Sequence, residues 1–196
     1  GEMMAVAMYA AVWLFTSAHV DPIVAIVPVA IAFFVLGYAL QASLINPMIT
    51  RPEHSQFILL VAIATIISNL LLMEFGPNAL SVQTSYQLDS YEIGPLLFDK
   101  ARVFAGIAAV VCSAALFAFF RFARTGKAIR ACADNYLGAR VVGLQVKRLY
   151  ALTFGLGAAC VAAAGGMMVL LVDVTPVVGP SYTLLAFVIV IVGGLG

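Results

Sequence analysis

A lysine directly after a glycine, Gly126-Lys127, is the first pair in this sequence that invites a chemical role. In a phosphate-binding loop of the form G-x-x-x-x-G-K-[ST], backbone N–H groups surround the phosphates and the lysine reaches their outer oxygens. Here the first glycine position is Arg121 and the residue after Lys127 is Ala128, so the pattern fails at both ends. Nucleotide binding by this chain itself is therefore not expected. The two histidines, His19 and His54, are far apart, and no H-E-x-x-H, G-x-S-x-G or paired-carboxylate motif occurs. Catalysis is not expected either. Cys112, Cys132 and Cys160 are scattered without C-x-x-C spacing, and they read as small apolar residues holding no metal and no disulfide. No cofactor is implied.

The elements that position any functional residue are apolar segments. Hydrophobic residues make up 64% of the 196, charged residues only 10%, and the mean hydropathy is +1.10. A soluble domain is about 45–50% apolar and about 25% charged, so lipid is the expected solvent for much of this surface. A span needs about 20 apolar residues. Candidates are Met3 to about Ala18, a stretch within Ile23–Ile45, Gln56–Met73, Val103–Phe120, Leu149 to about Val172, and a last run from Tyr182. Asp21-Pro22 suits the first turn of the second helix, and Asn46-Pro47 is expected to close it. Glu74-Phe75-Gly76-Pro77 is a strong stop after the third. The expectation is an all-α, polytopic transmembrane helix bundle of about six spans, one domain over residues 1–196. The start at Gly1-Glu2 and the end on Gly193-Gly194-Leu195-Gly196, straight out of an apolar run, read as a piece of a longer protein.

Charge sets the orientation. Seven of the ten basic residues fall between positions 121 and 148: Arg121, Arg124, Lys127, Arg130, Arg140, Lys147 and Arg148, with Asp134 the one acid among them. The 74–101 loop is polar and carries Glu74, Asp89, Glu92 and Asp99 against Lys100. The positive-inside rule places 121–148 in the cytoplasm and 74–101 outside. Alternation then puts the loop carrying Arg51 inside and the turn at His19-Asp21 outside.

Within the basic loop, Ile129, Cys132, Ala133, Tyr136 and Leu137 recur at i, i+3, i+4, i+7 and i+8, an apolar face on a short amphipathic helix. Thr125 can cap its start. Asp134 or Asn135 could instead cap a second, shorter helix ended by Gly143. Physics alone leaves two readings open, a solvated connector and a helix that docks on a cytoplasmic partner. The fifth span is rich in small residues, among them Gly155, Gly157, Ala158, Ala162, Gly165 and Gly166. Such residues let helices approach closely, while Gly165-Gly166 also admits a broken stretch beside a substrate path. Charges inside the spans are almost absent, which argues against a proton-coupled pump. Neutral polar groups (Gln41, Ser43, Asn46, Thr65, Ser68, Asn69) remain as candidates for lining a path or for joining helices.

Four stretches together resemble the permeases of branched-chain amino acid ABC transporters, the LivH type. They are Gly1-Glu2 with Met4, Arg124-Thr125-Gly126-Lys127-Ala128-Ile129-Arg130-Ala131 through Gly143-Leu144, Thr153-Phe154-Gly155-Leu156-Gly157-Ala158-Ala159, and Ala186-Phe187 leading to Gly193-Gly194-Leu195-Gly196. The resemblance implies a pore subunit in a bacterial inner membrane, paired with a second permease subunit, two cytoplasmic ATPase subunits and an external solute-binding protein. It implies that Arg130, Ala133, Asp134, Asn135, Ala139, Arg140 and Gly143 form the coupling contact with an ATPase. The chain departs from the usual family pattern at Tyr136 and Leu137, where proline and an acid are expected. Leucine-like amino acids are the implied cargo, with urea or short amides as the alternative. A secondary transporter and a membrane scaffold are the competing classes, and nucleic acid is not among the expected partners.

Overall fold

The structure, a computed structural model, describes residues 1–18, 22–49, 51–81, 90–93 and 96–193. The outer-turn residues His19 and Asp21, the loop residues Gln83, Thr84, Ser85, Gln87 and Asp89, and the terminal Gly194-Leu195-Gly196 lie outside the described residues. The order of elements is α1 (Glu2–Ala18), α2 (Pro22–Leu40), α3 (Glu53–Phe75), β1 (Ser90–Ile93), β2 (Leu96–Asp99), α4 (Lys100–Phe122), α5 (Arg124–Asp134), α6 (Tyr136–Val141), α7 (Val146–Met168) and α8 (Val178–Gly193). Four helical stretches among the described residues are long and apolar enough to cross a membrane: Val24–Met48, His54–Phe75, Lys100–Phe122 and Val146–Met168. The apolar helices α1 and α8 are shorter. The fold is a polytopic helical membrane bundle. The loop between α3 and α4 carries one antiparallel hairpin, with Ser90 opposite Asp99 and Ile93 opposite Leu96.

Helix α7 is the centre. Glycine and alanine along it remove the side chains that would hold its neighbours away, so dispersion contacts form at backbone distance. A Cβ on Gly155 would lie 2.9 Å from the Phe34 carbonyl oxygen, and one on Gly37 would lie 2.6 Å from Ala158 Cβ. These two positions seat α2 on α7. A Cβ on Gly165 would lie 3.0 Å from both Ala7 Cβ and the Met4 carbonyl oxygen, and one on Gly166 would lie 3.0 Å from Ile26 Cγ1. Ala7, Val29, Phe33 and Ala162 fill the space where α1, α2 and α7 meet. A second cluster joins Met8, Tyr9 and Val12 of α1 to Leu71, Val169 and Val174, and the Tyr9 ring stacks on Phe75 at 4.4 Å.

Two boundaries differ from expectation. Helix α2 does not stop at Asn46-Pro47; it widens into a π turn over Gln41–Ile45 and tightens into a 3-10 turn over Asn46–Met48. Pro47 sits in the first turn of that 3-10 segment, where its missing N–H costs no intrahelical bond. Helix α7 runs unbroken through Gly165-Gly166 but ends at Met168, short of the expected Val172. The chain then turns and pairs Val174 with Leu80 through two backbone bonds of 2.9 and 2.8 Å. Val169, Leu170, Val174 and Pro176 are buried there. That covering by protein is the condition under which irregular backbone is tolerated in a membrane protein.

Helices α3 and α4 present mostly exposed apolar side chains, such as Phe57, Ile58, Ile107 and Val110. Helices that are apolar all round suit lipid or further protein as their surroundings.

Candidate functional site

At the basic end of the bundle, α4 turns sharply into α5. Gly126 makes the corner possible. A Cβ there would collide with the Phe119 carbonyl oxygen and come 2.8 Å from Phe120 Cα. Helix α5 then lies with Gly126, Ile129 and Cys132 buried, while Arg130, Ala133 and Asp134 are exposed. Its N-cap is Ala123, with no side-chain cap, so Thr125 falls inside the first turn and does not cap the helix as expected.

The apolar face does not continue past Asp134. Asn135 is extended, at φ −149° and ψ 95°, and its side chain accepts the Gly138 N–H at 2.8 Å to cap α6. Of the two capping residues the sequence left open, Asn135 is the one used. The new helix points elsewhere, so the i, i+3, i+4 spacing is not carried across the break. Tyr136 is half-buried, but Ala133 and Leu137, expected on the buried face, are exposed. Helix α6 ends in a left-handed Gly143, φ +86°. The Gly143 N–H bonds the Arg140 carbonyl and the Leu144 N–H bonds the Ala139 carbonyl, both at 3.0 Å. This is a Schellman motif, which uses glycine at this position because a Cβ is disfavoured there.

Ala139, Cys132 and Val146 form a small core with Tyr136, Leu144, Leu149 and Tyr150 packed around it. The Tyr136 and Tyr150 rings stack at 6.5 Å and 8°, and Arg140 lies over the Tyr136 ring at 5.7 Å. The loop is thus a folded unit seated on the first turns of α7, not a loose connector. Its outer side carries Leu137, Val141 and Val142 at 70%, 87% and 81% exposure. The exposed guanidinium of Arg140 lies beside these open apolar side chains. All seven cations of the loop are exposed, and among the described residues none forms a salt bridge.

The unit is also tied to α2. Gln41, a buried polar residue, donates from Nε2 to Asn46 Oδ1 at 3.3 Å, and Asn46 Nδ2 donates to the Lys147 carbonyl at 3.1 Å. The sequence offers Gln41 as a neutral polar group and Asn46 as part of a helix end; their link to position 147, about a hundred residues away, has no signal in a single sequence.

The small residues of α7 divide by face. Gly155, Gly165 and Gly166 are buried against α2 and α1, whereas Gly157 is exposed and a Cβ on it would meet nothing within 4 Å. Asn69 is exposed on α3 and donates to the Thr65 carbonyl of its own helix at 2.7 Å. Neither Gly157 nor Asn69 joins the packing among the described helices. Glu2 lies against Gly179 and is 3.4 Å from the Thr183 hydroxyl, which donates to it. Cys112 and Cys160 come together across α4 and α7, with their sulfurs 4.0 Å apart, and all three cysteines are free. No group of three or more metal-ligating side chains occurs among the described residues.

Apolar helices packed through glycine, with a folded basic unit on one end, define a multi-pass membrane protein. Residues 1–196 match the family described as the branched-chain amino acid transport system permease component, and the chain belongs to that family. It is similar to the high-affinity branched-chain amino acid transport system permease protein LivH of Salmonella typhimurium and of Escherichia coli strain K12, at 39% identity over 83 residues in each case. The matched stretch covers 42% of this chain and 27% of each relative. No solved structure matches the chain.

Proposed function

We propose that this chain is a pore-forming permease subunit of an ABC importer for branched-chain or related small amino acids in a bacterial inner membrane. In this reading α5 and α6 lie in the cytoplasm and receive an ATPase subunit. A second permease subunit covers exposed apolar helix faces, and a solute-binding protein docks over the 74–101 loop. The observation that carries it is the α6 surface: Leu137, Val141 and Val142 stand open on a helix that is capped by Asn135, closed by Gly143 and cored by Ala139. A connector serving only to join two spans needs neither the core nor the open apolar side chains.

Nucleotide closes the ATPase dimer, the α5–α6 unit moves with it, and the Asn46–Lys147 bond carries that motion to α2 as well as α7. A nucleotide can drive this only by binding the two states of the assembly unequally. No residue of the chain changes covalently. The family supports amino acids as cargo, and much of the choice among them is assigned to the binding protein.

The experiment is recovery of ATPase subunits with the affinity-tagged full-length protein. Burying one Leu or Val is worth about 1.5–3 kcal/mol, and about 1.4 kcal/mol is tenfold in affinity. Leu137→Asp with Val141→Asp is therefore expected to lower ATPase recovery by at least about a hundredfold, with the permease still in the membrane. ATPase subunits held equally well by this variant, or absent from the unaltered protein, would remove the assignment.

A further inference from the structure

Where α4 turns into α5, an open pocket of about 460 Å³ is lined by Phe117, Phe120, Arg121 and Arg130. Arg121 belongs to the last turn of α4, and its guanidinium carbon is 5.8 Å from the Phe117 ring and 5.9 Å from the Phe122 ring. Phe117 and Phe122 are 63% and 70% exposed, and both arginines are exposed. Neither arginine forms a salt bridge among the described residues, nor does Asp134, one turn beyond Arg130 and the one acid of the basic loop. Arg124 and Lys127, exposed at the start of α5, add to the uncompensated charge. The two guanidinium groups thus share a pocket with aromatic rings where a 23-residue helix long and apolar enough to cross a membrane meets α5.

We propose that this pocket binds the phosphate headgroup of an anionic phospholipid of the cytoplasmic leaflet. Arginine forks pair with phosphate oxygens in a bidentate geometry. Basic pockets at the cytoplasmic ends of transmembrane helices are suited to such headgroups. Phe117 and Phe120 offer the apolar wall along which the glycerol and acyl chains run. That half of the lining distinguishes a lipid from a free phosphate ion, which has no use for it. The bound lipid bridges Arg121 of α4 to Arg130 of α5, bracing the corner that Gly126 permits. The proposal rests on the membrane orientation of the preceding section and goes beyond transport.

Native mass spectrometry of the full-length protein, loaded from micelles holding phosphatidylglycerol and phosphatidylcholine in equal amounts, reads the site directly. The unaltered protein is expected to retain phosphatidylglycerol in preference. Arg121→Gln with Arg130→Gln is expected to lower that retention about tenfold, while Arg124→Gln, outside the pocket, lowers it clearly less. If the doubly neutral variant does not assemble, Arg121→Lys with Arg130→Lys keeps the charge, removes the forks and is expected to retain severalfold less. Equal retention of the two lipids overturns the site, as does full retention by the arginine variants. Displacement of the lipid by excess inorganic phosphate shows a free-anion site and overturns it too. Retention is read without nucleotide or substrate, so a negative result is distinct from failure to recover ATPase subunits.

Discussion

Gly143 offers a perturbation that acts on the backbone alone. Its φ is +86°, and a Cβ built on it meets nothing within 4 Å, so Gly143→Ala introduces conformational cost without a clash. Holding a non-glycine residue in left-handed backbone costs roughly 1–2 kcal/mol, and less for asparagine. That cost falls on the two turn bonds, Gly143 N–H to the Arg140 carbonyl and Leu144 N–H to the Ala139 carbonyl. A penalty of this size shifts a closed-to-open ratio by about five- to thirtyfold. Hydrogen exchange reports local opening in the same terms. The Leu144 amide is therefore expected to lose about five- to thirtyfold in protection in Gly143→Ala, and clearly less in Gly143→Asn. Amides of α7 beyond its first two turns are expected to keep theirs. Unchanged protection in the alanine variant, or asparagine as harmful as alanine, would show that the turn is not held as described.

Other outcomes follow from the packing. Gly155→Ala drives a methyl to 2.9 Å from the Phe34 carbonyl and is expected to destabilise by about 1–3 kcal/mol. Gly157→Ala, with open space around it, is expected to be neutral or to stabilise by about 0.5–1 kcal/mol, and thermal unfolding in detergent separates the two. Asn46→Ala removes the bond to the Lys147 carbonyl, at a cost of about 0.5–1.5 kcal/mol, and proteolysis near the start of α7 is expected to quicken. Equal cleavage rates would rule out the clasp. Cys112 and Cys160 sulfurs, 4.0 Å apart, need only a modest approach to reach the disulfide length of about 2.05 Å. Mild oxidation of membranes is expected to cross-link α4 to α7 within one chain, and a failure to cross-link contradicts the placement of α4.

Much of the bundle is legible in the sequence because the forces that build it act over short stretches. Apolar run length marks the six apolar helices among the described residues, and Gly76 and Gly143 mark real helix ends. The small residues of α7 announced close packing, but one sequence cannot say which face meets a neighbour, and Gly157 turned out to look away. Leu137 was misplaced for a sharper reason. Periodicity assumes one axis, and a single extended residue, Asn135, ended that axis and turned Leu137 outward. The Asn46 clasp and the Cys112–Cys160 approach join residues far apart in the chain, and only the tertiary packing of α2, α4 and α7 brings them together.

On the proposed function, the open apolar side of α6 is where the ATPase drives the bundle. Substrate-stimulated ATP hydrolysis by the intact transporter in proteoliposomes, with Val141→Asp compared against Val110→Asn on the exposed face of α4, tests it most directly. Loss of stimulation in Val141→Asp, with the permease inserted and the Val110 variant coupled, is the predicted result. Full stimulation in Val141→Asp would contradict it.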